Sequence, residues 1–534
     1  MSTAIAYPET AGVRTLLRFA MRRERWILPW WLLGTAALLG LQSVSSQNFY
    51  DTPAKLAQLR ATMEANAAIV AMGGPTRLLE TVGGEVVFEI FAYLAIVVSL
   101  MNMFLIGRNT RSDEEAGRAE LIQSAPVGRR SIIVAALLGA LVVDSVAALL
   151  IFGTAVVSGL PLAGSLLVGM SIAGIGFTVA AATAVAAQIF ENPRSVYGTV
   201  IALIAGMYVA RAVGDTGTDA VAWLSPIGWG QRTYPYVDDR WWPLTLFAAT
   251  SAVLIATAVW LSRHRDFGAG LLGYRTGRAA ASRFLGSPMG LAWRLQRGAV
   301  LGWAVGAAVL GGAYGSFADS IEQFLADNPE LVAFLGGDVH DAVDSYLAFT
   351  LTISALLAAA CGVAGVLRAR SEEDRGRSEL ILAGPVGRVR WLMGYVAVAM
   401  AGSAMVLVAG GFGEGLVHGL RVDEPSQALR LAASALASLP AVWVVVAASA
   451  AFIGWVPEVS AVLGWTYYGY VVVAVLFIDA FDLPGWLAVL SPLRHTALVP
   501  LESPDWFASS VLLAATVVLT GVAQAGIRRR DVGR

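Results

Sequence analysis

Arg111 to Arg130 reads RSDEEAGRAELIQSAPVGRR, and Arg370 to Val389 reads RSEEDRGRSELILAGPVGRV. Laid together without gaps at an offset of 259, the two stretches share 12 of 20 residues. Self-similarity at a fixed spacing marks an internal repeat, and it decides how the chain is divided. Each stretch is a polar island between apolar runs long enough to cross a membrane. Segments of that polarity have to sit in water, so each island reads as a short stretch outside the bilayer, tethered at both ends by spans.

Composition agrees. Of 534 residues, 57% are hydrophobic and only 14% charged, with a mean hydropathy of +0.66. Apolar runs of about 18 or more residues are span candidates. The expected fold is an all-α polytopic membrane protein with about 12 transmembrane helices in two parallel six-helix repeats. The first repeat covers 1–262, a basic linker and elbow segment 263–297, and the second repeat 298–534. Leu224-Ser225-Pro226 and Leu490-Ser491-Pro492 are a further matched pair. Proline cannot donate a backbone hydrogen bond, so these read as broken, re-entrant helices before each last span.

At the N-terminus, Val13, Leu16, Leu17, Ala20 and Met21 fall on one helical face, opposite Arg14, Arg18, Arg22 and Arg25. That pattern predicts an amphipathic helix lying in the membrane interface; a solvated basic tail is the plainer alternative. With both termini inside, the inner segments hold 28 of the 37 basic residues. The positive-inside rule then places both islands and both termini in the cytoplasm.

Ser112 with Glu115, and Ser371 with Asp374, fit the capping pattern that opens a helix. Their acidic clusters suit the positive end of a helix dipole. Each island is therefore expected as one short helix, about 111–126 and about 370–385, ended by Pro126 and Pro385. Charges alternate through Glu114, Arg118 and Glu120, which suits recognition by another protein; a solvated hairpin without a partner is the alternative.

The amphipathic N-terminal segment, the long first external loop and the E-x-x-G-R-x-E-L-I-x-x-x-P-V-G-R islands resemble ABC exporter permeases. More closely, the duplicated chain is similar to the fused permeases of actinobacterial polyketide-antibiotic (tetronasin-type) exporters. The resemblance implies a bacterial plasma-membrane permease that moves hydrophobic or amphipathic, antibiotic-like compounds outward. It also implies a coupling helix in each repeat, docked on a separate cytoplasmic ATPase homodimer that binds ATP and Mg. The residues that would carry the coupling are Arg111, Glu114, Glu115, Gly117, Arg118, Glu120 and Pro126, and in the second repeat Arg370, Glu373, Asp374, Gly376, Arg377, Glu379 and Pro385.

Other chemistry is thinly supplied. Lys55 is the one lysine and follows no glycine-rich loop, so the chain has no nucleotide site of the P-loop kind. Cys361 stands alone, and the four histidines are scattered; no metal site, no catalytic constellation and no nucleic-acid partner are expected. The acidic run from Asp319 to Asp344 lacks arginines, as the positive-inside bias alone would produce. Inside the spans, Asp144 and Glu414 are candidates for a substrate or proton site, because a charge at that depth is costly and rare. The plainer accounts are protonation or pairing within the bundle for Asp144, and a position near the outer interface for Glu414. The rival function is a twelve-span proton-coupled antiporter, whose own cytoplasmic loop carries a GR element. The basic N-terminal helix and the E-L-I-x-x-x-P-V-G-R continuation stand against it.

Overall fold

The computed structural model describes residues 8–50, 52–64, 67–128, 130–265, 268–272, 280–326, 339–476 and 486–531. Among these residues the chain is helical, with one isolated parallel bridge between Phe190 and Leu272. Lipid offers no partner to backbone amides, so long apolar runs satisfy them internally as helices. Among the described residues eleven helices are long and apolar enough to span a membrane, or up to 12 if one bent pair counts as a span. The expected multi-pass all-α class is the one found.

Two compact units divide the chain, Met1–Thr276 and Gly277–Arg534. In the first, α1 (Val13–Glu24) meets α2 (Leu28–Phe49) at a bend of 65°. Two short helices follow, α3 (Pro53–Glu64) and α4 (Ala67–Gly73), and then α5 (Val82–Asn109). The island forms α6 (Arg111–Glu115) and α7 (Arg118–Gln123). Next come α8 (Ser131–Val157), α9 (Leu162–Ile189) and α10 (Pro193–Thr216), the small α11 (Asp219–Ala222) and α12 (Pro226–Gln231), and the last span α13 (Leu244–His264). The second unit holds α14 (Pro288–Ala326), α15 (Val339–Asp374) and the island helix α16 (Arg377–Leu382). It continues with α17 (Arg388–Arg421), α18 (Gln427–Ala435), α19 (Leu439–Trp455), α20 (Ser460–Leu476), α21 (Trp486–Val489) and α22 (Trp506–Arg529).

Burial repeats with the sequence. The second spans, α5 and α15, each hide 72% of their most apolar stretch, whereas the last spans, α13 and α22, hide 17%. α5 is wrapped by α2, α8, α9 and α10, and α15 by α14, α17, α19 and α20. Each last span leans instead on the fourth, α13 on α9 and α22 on α19. The islands therefore continue directly from the most enclosed helix of each unit.

The two units begin differently, and one expectation needs correction. α14 runs for 39 residues without a break, preceded by a short 3-10 turn at Arg283–Gly286. Pro29 opens α2 just after the bend in the first unit, but no proline falls between Pro288 and Ala326 to interrupt the ladder. The Leu-Ser-Pro segments are not broken spans. Ser225 caps a six-residue helix, α12, which is buried throughout. Pro492 to His495 forms a single 3-10 turn. α12 is pinned beside α10 by a buried network in which Arg232 reaches Asp215 at 2.9 Å and Arg211 reaches the Met72 carbonyl at 3.1 Å.

Close backbone approach holds the second unit's first and third spans together. A Cβ at Gly315 would lie 2.1 Å from the Glu414 carbonyl oxygen on α17, so only glycine fits that crossing, as small residues do in membrane helix pairs. Gly315→Leu should therefore lower the thermal midpoint of the purified protein, at a cost of roughly 1–3 kcal/mol or more from overpacking. Gly306→Leu, where a Cβ meets nothing within 4 Å, should leave the midpoint unchanged. Equal melting of the two variants would refute the packing account.

Candidate functional site

Each island departs from the single capped helix expected for it. In the first unit α5 pauses at Thr110 (φ −128°), α6 adds one further turn, and the chain reverses at Gly117 (φ +70°) before α7. In the second unit α15 carries straight through to Asp374 and reverses at Gly376 (φ +68°) into α16. Neither serine opens a helix: Ser112 Oγ lies 3.1 Å from the Tyr197 hydroxyl, and Ser371 sits within α15. Left-handed backbone costs other residues about 1–2 kcal/mol, so the shared G-R step makes the turn and the capping pattern does not.

This reverses the electrostatics. Asp113, Glu114, Glu372 and Glu373 lie at the C-terminal end of a span, where the helix dipole disfavours negative charge. Arginines offset it. The Glu114 side chain is only 5% exposed and is held by Arg111, itself buried, and by Arg265, whose Nη1 donates to it at 2.9 Å. Arg111 also donates to the carbonyls of Glu191 (2.7 Å) and Gly268 (3.2 Å). In the second unit Glu373 takes two hydrogen bonds from Arg530, at 2.6 and 2.8 Å, with Arg370 at 3.4 Å. Arg265 and Arg530 hold the same place, since each ends the last span of its unit.

A second pair of contacts repeats as well. Arg118 meets Asp113 at 2.8 Å, and Arg377 meets Glu372 at 2.7 Å. The further cation differs. Asp113 receives Arg23 from α1 at 2.8 Å, whereas Glu372 receives Arg368 from its own helix at 2.9 Å. The first unit has Asn109 where Arg368 would be. α1 is joined to α5 again by Glu24 and Arg108, 2.7 Å apart.

Arg265 and Arg530 escape a reading centred on the islands. The signal for them is present: Arg263-His264-Arg265-Asp266-Phe267-Gly268 and Arg528-Arg529-Arg530-Asp531-Val532-Gly533 share an R-x-R-D-x-G pattern. Its offset is 265, not 259, so a gapless comparison passes over it.

The expected coupling residues thus divide. Arg111, Glu114, Arg370 and Glu373 form the internal anchor. Glu115, Glu120 and Pro126 are exposed, as are Asp374, Glu379 and Pro385. Beside them Leu121 is 75% exposed and Leu380 84%, an apolar side chain at the same position of each short helix. Within the spans, buried Asp144 on α8 accepts from Asn102 Nδ2 at 2.7 Å. Buried Glu414 on α17 accepts from Thr350 Oγ1 at 2.6 Å. Of the acidic run, the side chains from Asp319 to Asp341 lie outside the described residues, while Asp344 pairs with Arg430 at 2.7 Å. Among the described residues no cluster of metal-ligating side chains occurs.

A family model described as "Multidrug efflux system permease Rv1217c, C-terminal domain" matches residues 13–263 and 285–528. The multidrug efflux system permease protein Rv1217c of Mycobacterium tuberculosis (strain ATCC 25618 / H37Rv) is 34% identical over 532 residues, covering 98% of this chain and 95% of that protein. The chain belongs to this permease family. The two matched parts end at Arg263 and Arg528, the equivalent first residues of the two R-x-R-D-x-G segments, consistent with an internal repeat. In this permease the repeated anchor is testable by itself. Glu373→Gln should leave the Arg530 charge without its partner and cost roughly 3 kcal/mol, the low end for broken buried pairs. The exchange Glu373→Arg with Arg530→Glu should recover part of that loss in a thermal melt. Wild-type melting of Glu373→Gln would refute the anchor.

Proposed function

We propose that this chain supplies both transmembrane halves of an ATP-driven multidrug exporter, with the two islands docking on the two subunits of a separate cytoplasmic ATPase. The exposed leucines at equivalent positions, Leu121 and Leu380, support this most. Each projects from a short helix whose root is held by ion pairs, with Glu120 or Glu379 and a proline beside it. Paired apolar side chains ringed by charge suit a protein partner better than lipid or open water. ATP and Mg would be bound by that partner, and hydrolysis would occur there; this chain contributes no residue to it.

The anchors give docking a mechanical consequence. A displacement of α7 would reach α5 directly, α8 through the following loop, and α13 through Glu114 and Arg265. The Arg111 contacts to the Glu191 and Gly268 carbonyls would carry it towards α10 and the linker. In the second unit α15, α17 and α22 would be joined in the same way through Glu373 and Arg530. Movement of the ATPase subunits would thus shift a whole set of spans, as alternating access requires, with hydrophobic or amphipathic compounds as cargo.

The test is co-purification with the P-loop ATPase that the proposal requires, sought first in the neighbouring reading frames. Leu121→Asp with Leu380→Asp should reduce recovered ATPase at least fivefold and abolish ATP-dependent dye export from vesicles, while the permease stays monodisperse. Undiminished ATPase recovery, or export that persists on a proton gradient alone, would overturn the proposal in favour of an antiporter.

A further inference from the structure

In the first unit α9 packs against both α8 and α13, forming the floor of a groove between them. The groove is open along one side and has a volume of about 560 Å³, within the range of roughly 300–1,000 Å³ common for small-molecule sites. Its walls are apolar and partly aromatic, with Leu141, Met170, Phe177, Phe247 and Ile255 among them. One ionisable side chain lines it: Asp144, near the middle of the 27-residue α8.

Asp144 is 2% exposed. Asn102 Nδ2 donates to Oδ1 at 2.7 Å, while Oδ2 is buried with no hydrogen-bond partner. No arginine, lysine or histidine contributes to the groove lining. A carboxylate at this depth, half-satisfied and beside an apolar groove of ligand size, calls for a donor that arrives with the ligand. The second unit does not repeat the arrangement, because Ser403 and Cys361 occupy the positions of Asp144 and Asn102 at the repeat offset.

We infer that this groove is a binding site for an amphipathic organic cation, whose apolar body lies between α8 and α13 and whose N–H group meets Asp144 Oδ2. The inference rests on the exporter function proposed above and narrows its cargo to include lipophilic amines, one per chain. Asn102 acts as a positioning residue, holding the carboxylate through Oδ1 and leaving Oδ2 for the ligand.

The experiment uses the full chain in nanodiscs of phosphatidylcholine, without ATP or ATPase, with empty discs subtracted. Rhodamine 6G serves as a lipophilic cation with N–H donors, and Nile red as a neutral dye of similar aromatic size. Wild-type protein should bind one rhodamine 6G per chain. Asp144→Asn should weaken that binding at least tenfold while changing Nile red binding less than twofold, and Asp144→Glu should keep the cation within threefold. Ala248→Trp, placed on the exposed rim of the groove, should weaken both dyes at least tenfold, and it remains decisive if Asp144→Asn does not fold. Unchanged cation binding in either variant would overturn the inference, as would equal loss of both dyes in Asp144→Asn. Because no ATPase is present, failure here leaves the docking proposal standing, and failure of co-purification leaves the groove standing.

Discussion

The constraint on which each unit depends is a carboxylate placed at the wrong end of a helix. Glu114 and Glu373 lie buried at the C-terminal end of the most enclosed span, against the dipole and away from water. They are tolerable there because an arginine from the end of the last span reaches each one. Breaking either pair would strand a charge, which is far more costly than never having formed the pair. The requirement ties the second span to the sixth across the full length of a unit, 151 residues apart in one and 157 in the other.

Glycine then turns a buried anchor into an exposed lever. The left-handed step at Gly117 and Gly376 swings α7 and α16 away from the spans they follow. Within a few residues the chain passes from a fully paired carboxylate to an open leucine. Under the docking proposed above, rigid root and exposed tip together would let a force applied outside the membrane act on helices within it.

Much of this was legible from residues alone. The doubled island, the span count and the polar–apolar alternation follow from solvation, which acts on composition. The shape of the island did not, because the serine–acid pattern is a local preference and the pairing that overrides it comes from Arg265 and Arg530, far along the chain. Asp144 could be flagged as a charge in a span. Whether it meets a neighbour or a groove depends on where α13 lies, which periodicity does not say. The straightness of α14 was readable in principle from the absence of proline after Pro288.

The leading helices differ in a second way. In the first unit the bent α1 does chemical service: its Arg23 completes the charge balance around Asp113. In the second unit Arg368 performs the same service from within α15. A unit that carries this counter-ion within its own second span does not need a leading helix to supply it. The two halves thus differ in self-sufficiency: one draws a cation for Asp113 from its leading segment, and the other draws the equivalent cation from the helix that bears Glu372.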